Sequence, residues 1–432
     1  MNAGGVERLN PPPTVRKIAA RLTEAGFETW CVGGAVRDAL LGHAHADWDL
    51  ATAATPTEVR SLFSRTVPHG IEFGTVGVLD KHGIMHEVTT FRRDVQHDGR
   101  HAVVEYGVSL DDDLARRDFT INAIAYSPAS GELRDPFGGQ EDLKRGIVRA
   151  VGDPSARMVE DRLRALRAFR FAGRFEFEID PATWQAVAAS APFLPRLSRE
   201  RIKQEIEKTM DQVRRPSRSF ALWRKAGAFT SLIPELDAVP ESAFKAADFI
   251  GTPDETRRPE LALARSQNRL TTLFLDLRPA DARRVLVGLR ASNRETDSVS
   301  QQVDAWHRVG SVMRTALLEG HVSDAAMRRW AADIGRTHTA DFLKVAHARW
   351  CAEGNAPKIA PVYRRMVRVA YRDPLTVTDL AIDGSDLMDA GIPAGPAVGK
   401  TLRRLLDVVI EDPSRNTRDI LLELASSGGA SQ

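Results

Sequence analysis

Val32-Gly33-Gly34-Ala35-Val36-Arg37-Asp38, followed by Asp47-Trp48-Asp49-Leu50-Ala51-Thr52, is the stretch on which the reading of this chain turns. Phe27 to Val32 is short and apolar, as a buried strand is, and it breaks at the glycine pair. A helix is expected to open there and run through Leu40-Leu41. Glycines at such a junction let backbone N–H groups come close to a phosphate, and a helix N-terminus favours negative charge. Gly33, Gly34 and Arg37 are therefore candidates to hold a triphosphate. No G-x-x-x-x-G-K-[ST] occurs, so the loop is not a P-loop, and the spacing misses the dinucleotide G-x-G-x-x-G. Asp47 and Asp49 stand at i and i+2, which on a strand places both carboxylates on one face. Such a pair suits two hard divalent cations, whose oxygen-rich sites need carboxylates pointing the same way. Taken alone, a D-x-D is most often a surface turn.

Downstream, Gly74 to Leu79 and Ile84 to Phe91 are strand-like and joined at Lys81-His82-Gly83, the pattern of a hairpin. Glu87 falls inside the second of these strands. An acid there calls for a partner: a metal beside Asp47 and Asp49, or water at a sheet edge. Val15 to Ala25 and Pro56 to Phe63 have helical spacing. After about Gly152 the texture changes. Met158 to Phe171 is expected as one strong helix, and helical periodicity then dominates, broken near Pro192–Pro195, Pro216, Ile233-Pro234, 251–259 and Pro374. The expected fold is α+β: a small mixed sheet with helices, then an all-helical remainder. The boundaries are a leader at 1–14, a head at 15–150, a neck at 151–215, a helical body at 216–345 and a helical tail at 346–432.

With 432 residues, 43% hydrophobic and 27% charged, the chain is that of a globular protein of several compact units. Its formal charge of +2 does not announce a nucleic-acid binder. Arginine nevertheless outweighs lysine and clusters at 92–93, 116–117, 157–174 and 214–215, and it suits bidentate contacts to phosphates and base edges. Cys31 and Cys351 are far apart, which excludes a disulfide scaffold or a zinc site. No signal peptide is visible and no apolar run could span a bilayer, so a cytoplasmic enzyme without a membrane partner is expected.

The glycine pair and D-x-D together resemble the nucleotidyltransferase head of the class II CCA-adding enzymes and bacterial poly(A) polymerases. His69 to Val76, Arg116-Arg117-Asp118-Phe119-Thr120-Ile121-Asn122-Ala123, Glu160-Asp161-Arg162-Leu163-Arg164 and Ser198-Arg199-Glu200-Arg201-Ile202 match further family motifs in order. The resemblance covers the first half of the chain closely and the second half loosely. It implies Mg²⁺ as cofactor at Asp47 and Asp49, with Glu87 catalytic beside them. It implies CTP and ATP as substrates and tRNA as partner. Gly33, Gly34, Arg37, Arg117, Asp118, Asn122, Asp161, Arg164, Arg167 and Arg170 become the nucleotide-binding set, with Arg117 and Asp118 over the ribose and phosphates. Phe119 reads as core.

Asp161, Arg164, Arg167 and Arg170 recur every third position, a stripe on one helix face that an i,i+3 salt-bridge lattice would equally produce. Cytosine and adenine each present an exocyclic amine beside a ring-nitrogen acceptor. A carboxylate accepts from the first and a guanidinium donates to the second, whereas uracil and guanine reverse both polarities. By resemblance, Asp161 and Arg164 form an amino-acid template that admits CTP and ATP. A poly(A) polymerase, a partial CC- or A-adding enzyme, and a non-catalytic RNA-binding protein are the alternatives. Arg92 to Leu114, with Asp98-Gly99-Arg100 and Asp111-Asp112-Asp113, resembles the flexible loop of enzymes that add the whole CCA. Ile382 to Leu387 and Gly395 to Lys400 resemble the family's tail. No H-D motif of the phosphohydrolase kind occurs, and His307, His321, His338 and His347 are scattered. Oligomeric state is open.

Overall fold

The computed structural model describes residues 9–43, 47–68, 70–97, 102–251, 259–320 and 322–427. His69, His321 and Asp98-Gly99-Arg100 lie outside them. Helix α1 (Pro13–Glu24) buries Val15, Ile18, Ala19 and Leu22, spaced for one face, against the head. It begins at Pro13, inside the stretch expected as a leader, and Leu9 is already buried.

The sheet follows. Strand β1 (Thr29–Val32) is wholly buried and gives way at Gly33 to α2 (Gly34–Leu40). Next come β2 (Asp49–Thr52) and α3 (Pro56–Leu62), whose first turn is closed by a Thr55–Glu58 capping box. Then follow β3 (Thr66–Val67), β4 (Thr75–Leu79) and β5 (Met85–Thr90). A separate hairpin pairs β6 (Arg92–His97) with β7 (Ala102–Tyr106) and leads into α4 (Leu110–Ala115). Short β8 (Ala125–Tyr126), β9 (Leu133–Arg134), α5 (Gly139–Arg145) and β10 (Ile147–Val148) complete the head. Among the described residues the main sheet has the order β3-β4-β5-β2-β1-β8-β9. Only β2 with β5 is parallel in it, so the sheet is mixed, as expected. Trp30, Val32, Ala51 and Phe91 pack on one face with Leu110 and Leu114 from α4.

The helix expected over Met158–Phe171 is two helices. α6 (Pro154–Glu160) stops at Asp161, whose backbone is extended, and α7 (Leu163–Phe175) begins anew. The Asp161 carboxylate accepts from the Leu163 N–H, the local bond by which aspartate turns a chain out of a helix. β11 (Glu178–Ile179), α8 (Pro181–Ser190), a 3₁₀ turn at Ala191–Arg196, α9 (Arg199–Gln212), α10 (Pro216–Lys225) and α11 (Ala228–Leu232) follow. β11 pairs with β10 in parallel.

The chain divides into two compact units, and neither is continuous. The first comprises 1–205 and 218–232, the second 206–217 and 233–432. In the first, α7 meets the returning segment through an aromatic cluster. The Phe169 and Trp223 ring centroids lie 6.3 Å apart, and those of Trp223 and Phe229 lie 5.3 Å apart. Gly173 makes the approach possible, since a Cβ there would lie 2.0 Å from the Ser219 Oγ.

The second unit is helical throughout its described residues. One cluster gathers Met313, Trp330, Phe342, Trp350 and Met366, and a separate one joins Leu387, Leu405, Val409 and Leu421. Arg269, fully buried, donates to the carbonyls of Met210, Val213, Arg214, Ile250 and Gly251. No described helix is long and apolar enough to cross a membrane.

Candidate active site

Gly33 adopts φ 76°, a conformation that L side chains rarely take, and a Cβ there would sit 3.0 Å from the Arg117 Nη1. The Arg117 guanidinium thus lies against the glycine turn between β1 and α2. It is held from behind by Asp113, which accepts from Arg117 Nη2 and Arg116 Nε, each at 3.0 Å. Burial pushes the Asp113 pKa up, but the two guanidiniums outweigh it and leave it below the usual carboxylate value. Asp111-Asp112-Asp113, expected within a flexible loop, are instead the first turn of α4, capped by Ser109. Three acids there also suit the positive end of the helix dipole.

Antiparallel pairing sets Asp49 opposite Val32, beside the glycine turn. The parallel register of β2 with β5 matches Leu50 to Val88. Continued by one residue, it places Asp49 alongside Glu87, and aligned residues of a parallel pair share a face. Asp47 lies ahead of the strand rather than on it, so the ladder itself carries only Asp49 of the two acids. The expected alternation survives nonetheless. Asp47 is exposed, Trp48 buried and Asp49 half-buried, which continues the period of two by which the acids share the side away from the indole. Gly33, Arg117, Asp47, Asp49 and Glu87 therefore gather at one end of the sheet.

A buried chain of hydrogen bonds leads away from this end. Arg37 is enclosed, its guanidinium carbon 5.1 Å and 4.8 Å from the ring centres of Phe171 and Phe175. Its Nε donates to Asp38 at 2.8 Å and its Nη1 donates to the Asn122 Oδ1. The Asn122 amide donates to the Asp118 Oδ1 at 2.8 Å, and the Arg167 Nε donates to the Asp118 Oδ2 at 2.7 Å. Burial works against the Asp118 charge, but Arg167, the Asn122 amide and the Phe119 N–H prevail and hold its pKa at about 2. Asp118 is thus a fixed anion. Phe119 is core, edge-on to Phe171 at 5.7 Å.

The arginines of α7 do not form an i,i+3 lattice with Asp161. Each reaches a carboxylate elsewhere: Arg164 to Glu160 at 2.6 Å, Arg167 to Asp118, Arg170 to Glu205 at 2.8 Å, and Arg174 to Asp38 at 2.8 Å. Arg170 and Glu205 are both buried, so this pair faces the protein interior. Arg164 also donates to the carbonyls of Arg157 and Arg116. Asp161 accepts from Arg201 Nη2 at 2.7 Å, and both side chains remain partly open to solvent. Arg201, Asp113, Glu160 and Glu205 were missed as site residues. Glu160 and Asp113 pair locally, with Arg164 at i,i+4 and with Arg116 and Arg117 at i,i+3 and i,i+4, whereas Arg201 and Glu205 find partners 40 and 35 residues away.

Among the described residues no three His, Cys, Asp or Glu side chains form a ready cage for a metal. Mg²⁺ asks for less, because it is usually held by one or two carboxylates and completes its shell with water and substrate phosphate. The oxygen donors of Asp47 and Asp49, partly open to solvent beside a glycine turn and Arg117, fit that requirement.

Three family models match the chain in succession. The Poly A polymerase head domain matches 29–149, "Probable RNA and SrmB- binding site of polymerase A" matches 176–239, and tRNA nucleotidyltransferase domain 2 matches 264–425. A CCA-adding enzyme of Limosilactobacillus fermentum is 34% identical over 414 residues, covering 95% of each chain. The crystal structure of the Bacillus stearothermophilus CCA-adding enzyme in complex with CTP superposes with a TM-score of 0.77 at 29% identity, over 98% of each chain. The Thermotoga maritima CCA-adding enzyme complexed with tRNA matches with a TM-score of 0.67 over 99% of this chain and 98% of its own. At 21% identity that last likeness concerns the fold alone.

Proposed function

The chain belongs to the CCA-adding enzyme family, and from that premise we propose that it adds CMP and AMP, from CTP and ATP, to the 3′ end of tRNA without a nucleic-acid template. One observation carries the assignment of its site. The acids of β2 and β5 meet the Arg117-backed glycine turn at the same sheet end, and the Arg37–Asn122–Asp118–Arg167 chain ties that end to α7.

In this reading Asp47 and Asp49 hold Mg²⁺ with Glu87 beside them, and the bound ion supplies charge that neutralises phosphate and favours an ionised tRNA hydroxyl. The chain's own groups do the rest. Backbone N–H groups at Gly33 and Gly34 approach the phosphates, and Arg117 donates to them or to the ribose. Asp118 and Asn122 fix the position of Arg167 and of the ribose-side wall. Asp161 accepts from the exocyclic amine of cytosine or adenine, and Arg164 donates to the ring nitrogen. Arg164 commits three of its five N–H donors to its present acceptors and Asp161 has lone pairs to spare beside Arg201, so both retain capacity for a base edge. Arg37 and Arg170, both buried and paired, brace this wall rather than touch nucleotide. We divide the chain by role into head, neck, body and tail, the last two gripping tRNA, and place its work in the cytoplasm.

The test is incorporation of labelled CTP and ATP into tRNA ending before, within and after CCA. The expected products complete CCA from each start and stop there. A run of A residues would instead favour a poly(A) polymerase, and no incorporation a non-catalytic RNA-binding protein.

A further inference from the structure

Every arginine of α7 meets a carboxylate, but the arginine just ahead of it does not. Arg162 donates to the Ser190 Oγ at 3.1 Å, and its guanidinium carbon stands 4.8 Å from the centre of the Phe193 ring. Arg196 stands over the same ring at 5.2 Å. Among the described residues Arg196 makes no hydrogen bond or ion pair, and Arg162 no ion pair. Phe193 is 40% exposed. Two guanidiniums are thus gathered around one accessible aromatic ring with no acid to compensate them, in a chain that pairs Arg164, Arg167, Arg170 and Arg174 without exception. Burial chiefly, and the nearby Arg196 in addition, lower the Arg162 pKa. The ring draws each guanidinium by cation–π attraction and so holds the two charges together against their repulsion. An anion able to accept from both would relieve it, and planar donor forks match phosphate oxygens.

On the helical wheel Arg162 falls on the side of α7 that carries Phe169, Leu166 and Gly173, whereas Arg164 and Arg167 lie on the other. The pair therefore faces away from the nucleotide wall. We propose that Arg162, Phe193 and Arg196 form a phosphate clamp for the RNA backbone, a positioning contact separate from the site that reads the incoming nucleotide. The proposal rests on the reading of tRNA as substrate. RNA is favoured over an acidic protein segment because both cations are arginines set against an aromatic ring, the combination that tracks a phosphodiester strand.

The test is tRNA affinity measured across a salt series for the full chain, with Arg196→Gln, Arg162→Gln and the double variant. Arg196 is exposed and bonded to nothing in the fold, so its variant should melt with the parent. Each substitution is expected to weaken binding about three- to tenfold near 0.1 M salt and to reduce the slope of log K against log salt by about 1. The KM for CTP and the discrimination against UTP should stay at parental values. Phe193→Leu should weaken binding in the same direction by releasing both cations. An unchanged slope in the double variant, with the parent binding and extending tRNA, would overturn the clamp alone and leave the two arginines to an acidic protein partner. A parent that neither binds nor extends tRNA would overturn clamp and proposed function together.

Discussion

Asp118 with Arg167 and Asp161 with Arg201 are the same two residue types at the same 2.7 Å separation, with arginines equally open to solvent but carboxylates in different surroundings. Asp118 is buried and also accepts from the Asn122 amide and the Phe119 N–H. Asp161 and Arg201 are each more than a quarter exposed, and Asp161 has only the Leu163 N–H besides. Arg167 is as open to solvent as Arg201, but loss of Arg167 would strand the buried Asp118 carboxylate, which costs several kcal/mol, so Asp118 is framework. A half-solvated pair is worth about 1 kcal/mol or less, and a competing ligand can share it. On the proposed reading, the burial of the carboxylate thus separates Asp118, which braces, from Asp161, which can respond to a base.

The comparison predicts that neither pair performs the chemistry, and the largest effect checks that first. Asp49→Ala should reduce incorporation by about a thousandfold or more, as loss of a metal-bound carboxylate does, with tRNA affinity by filter binding unchanged. Asp161→Ala comes next. It should keep the fold and relax selection of CTP over UTP by about 10- to 100-fold, the worth of one good base-edge contact. Unaltered competition between the two nucleotides would remove Asp161 from the reading role.

Asp118→Asn should destabilise instead of relaxing selection. A pKa lowered from 3.8 to about 2 corresponds to roughly 2 kcal/mol. Because the folded value lies below the unfolded one, this stability is present above about pH 4 and is lost as pH falls toward about 2. Urea unfolding of parent and variant between pH 5 and pH 2 should therefore converge at the acid end. Should the gap persist there, Asp118 is not the anion described. The smallest effect belongs to Arg201→Ala. A rise of only a few-fold in the KM for CTP is expected, about 1 kcal/mol or less, largely restored by Arg201→Lys.

Much of this was legible in the sequence because it is local. The apolar Phe27–Val32 run ending in two glycines, the 74–91 hairpin and the α+β to all-helical change each rest on neighbouring residues, and each is present. The alternation of exposed Asp47, buried Trp48 and half-buried Asp49 was legible for the same reason, since it is a property of a few consecutive positions. What could not be read was every partner distant in sequence. The three-residue spacing of Arg164, Arg167 and Arg170 suggested a self-contained stripe, but Arg167 and Arg170 find their carboxylates at Asp118 and Glu205, 49 and 35 residues away, and only Arg164 pairs locally, with Glu160 at i,i+4. Arg37 looked suited to phosphate from its place in the first turn. Only the fold sets Phe171 and Phe175 against it and seals it in. The break at Asp161 was missed because apolar periodicity runs across it, while the residue that ends the helix does so through a single side-chain bond.

The interleaving of the two units has a consequence for biogenesis. The chain leaves the first unit after residue 205 and supplies it with Phe220, Trp223 and Phe229 only on its return. While the nascent polypeptide is shorter than about that return point, Phe169 has the Trp184 indole but not that of Trp223, and Gly173 has not met Ser219. The fragment ending at 205 is thus no autonomous module, and a recombination event between the halves would have to exchange a threaded piece rather than a contiguous block.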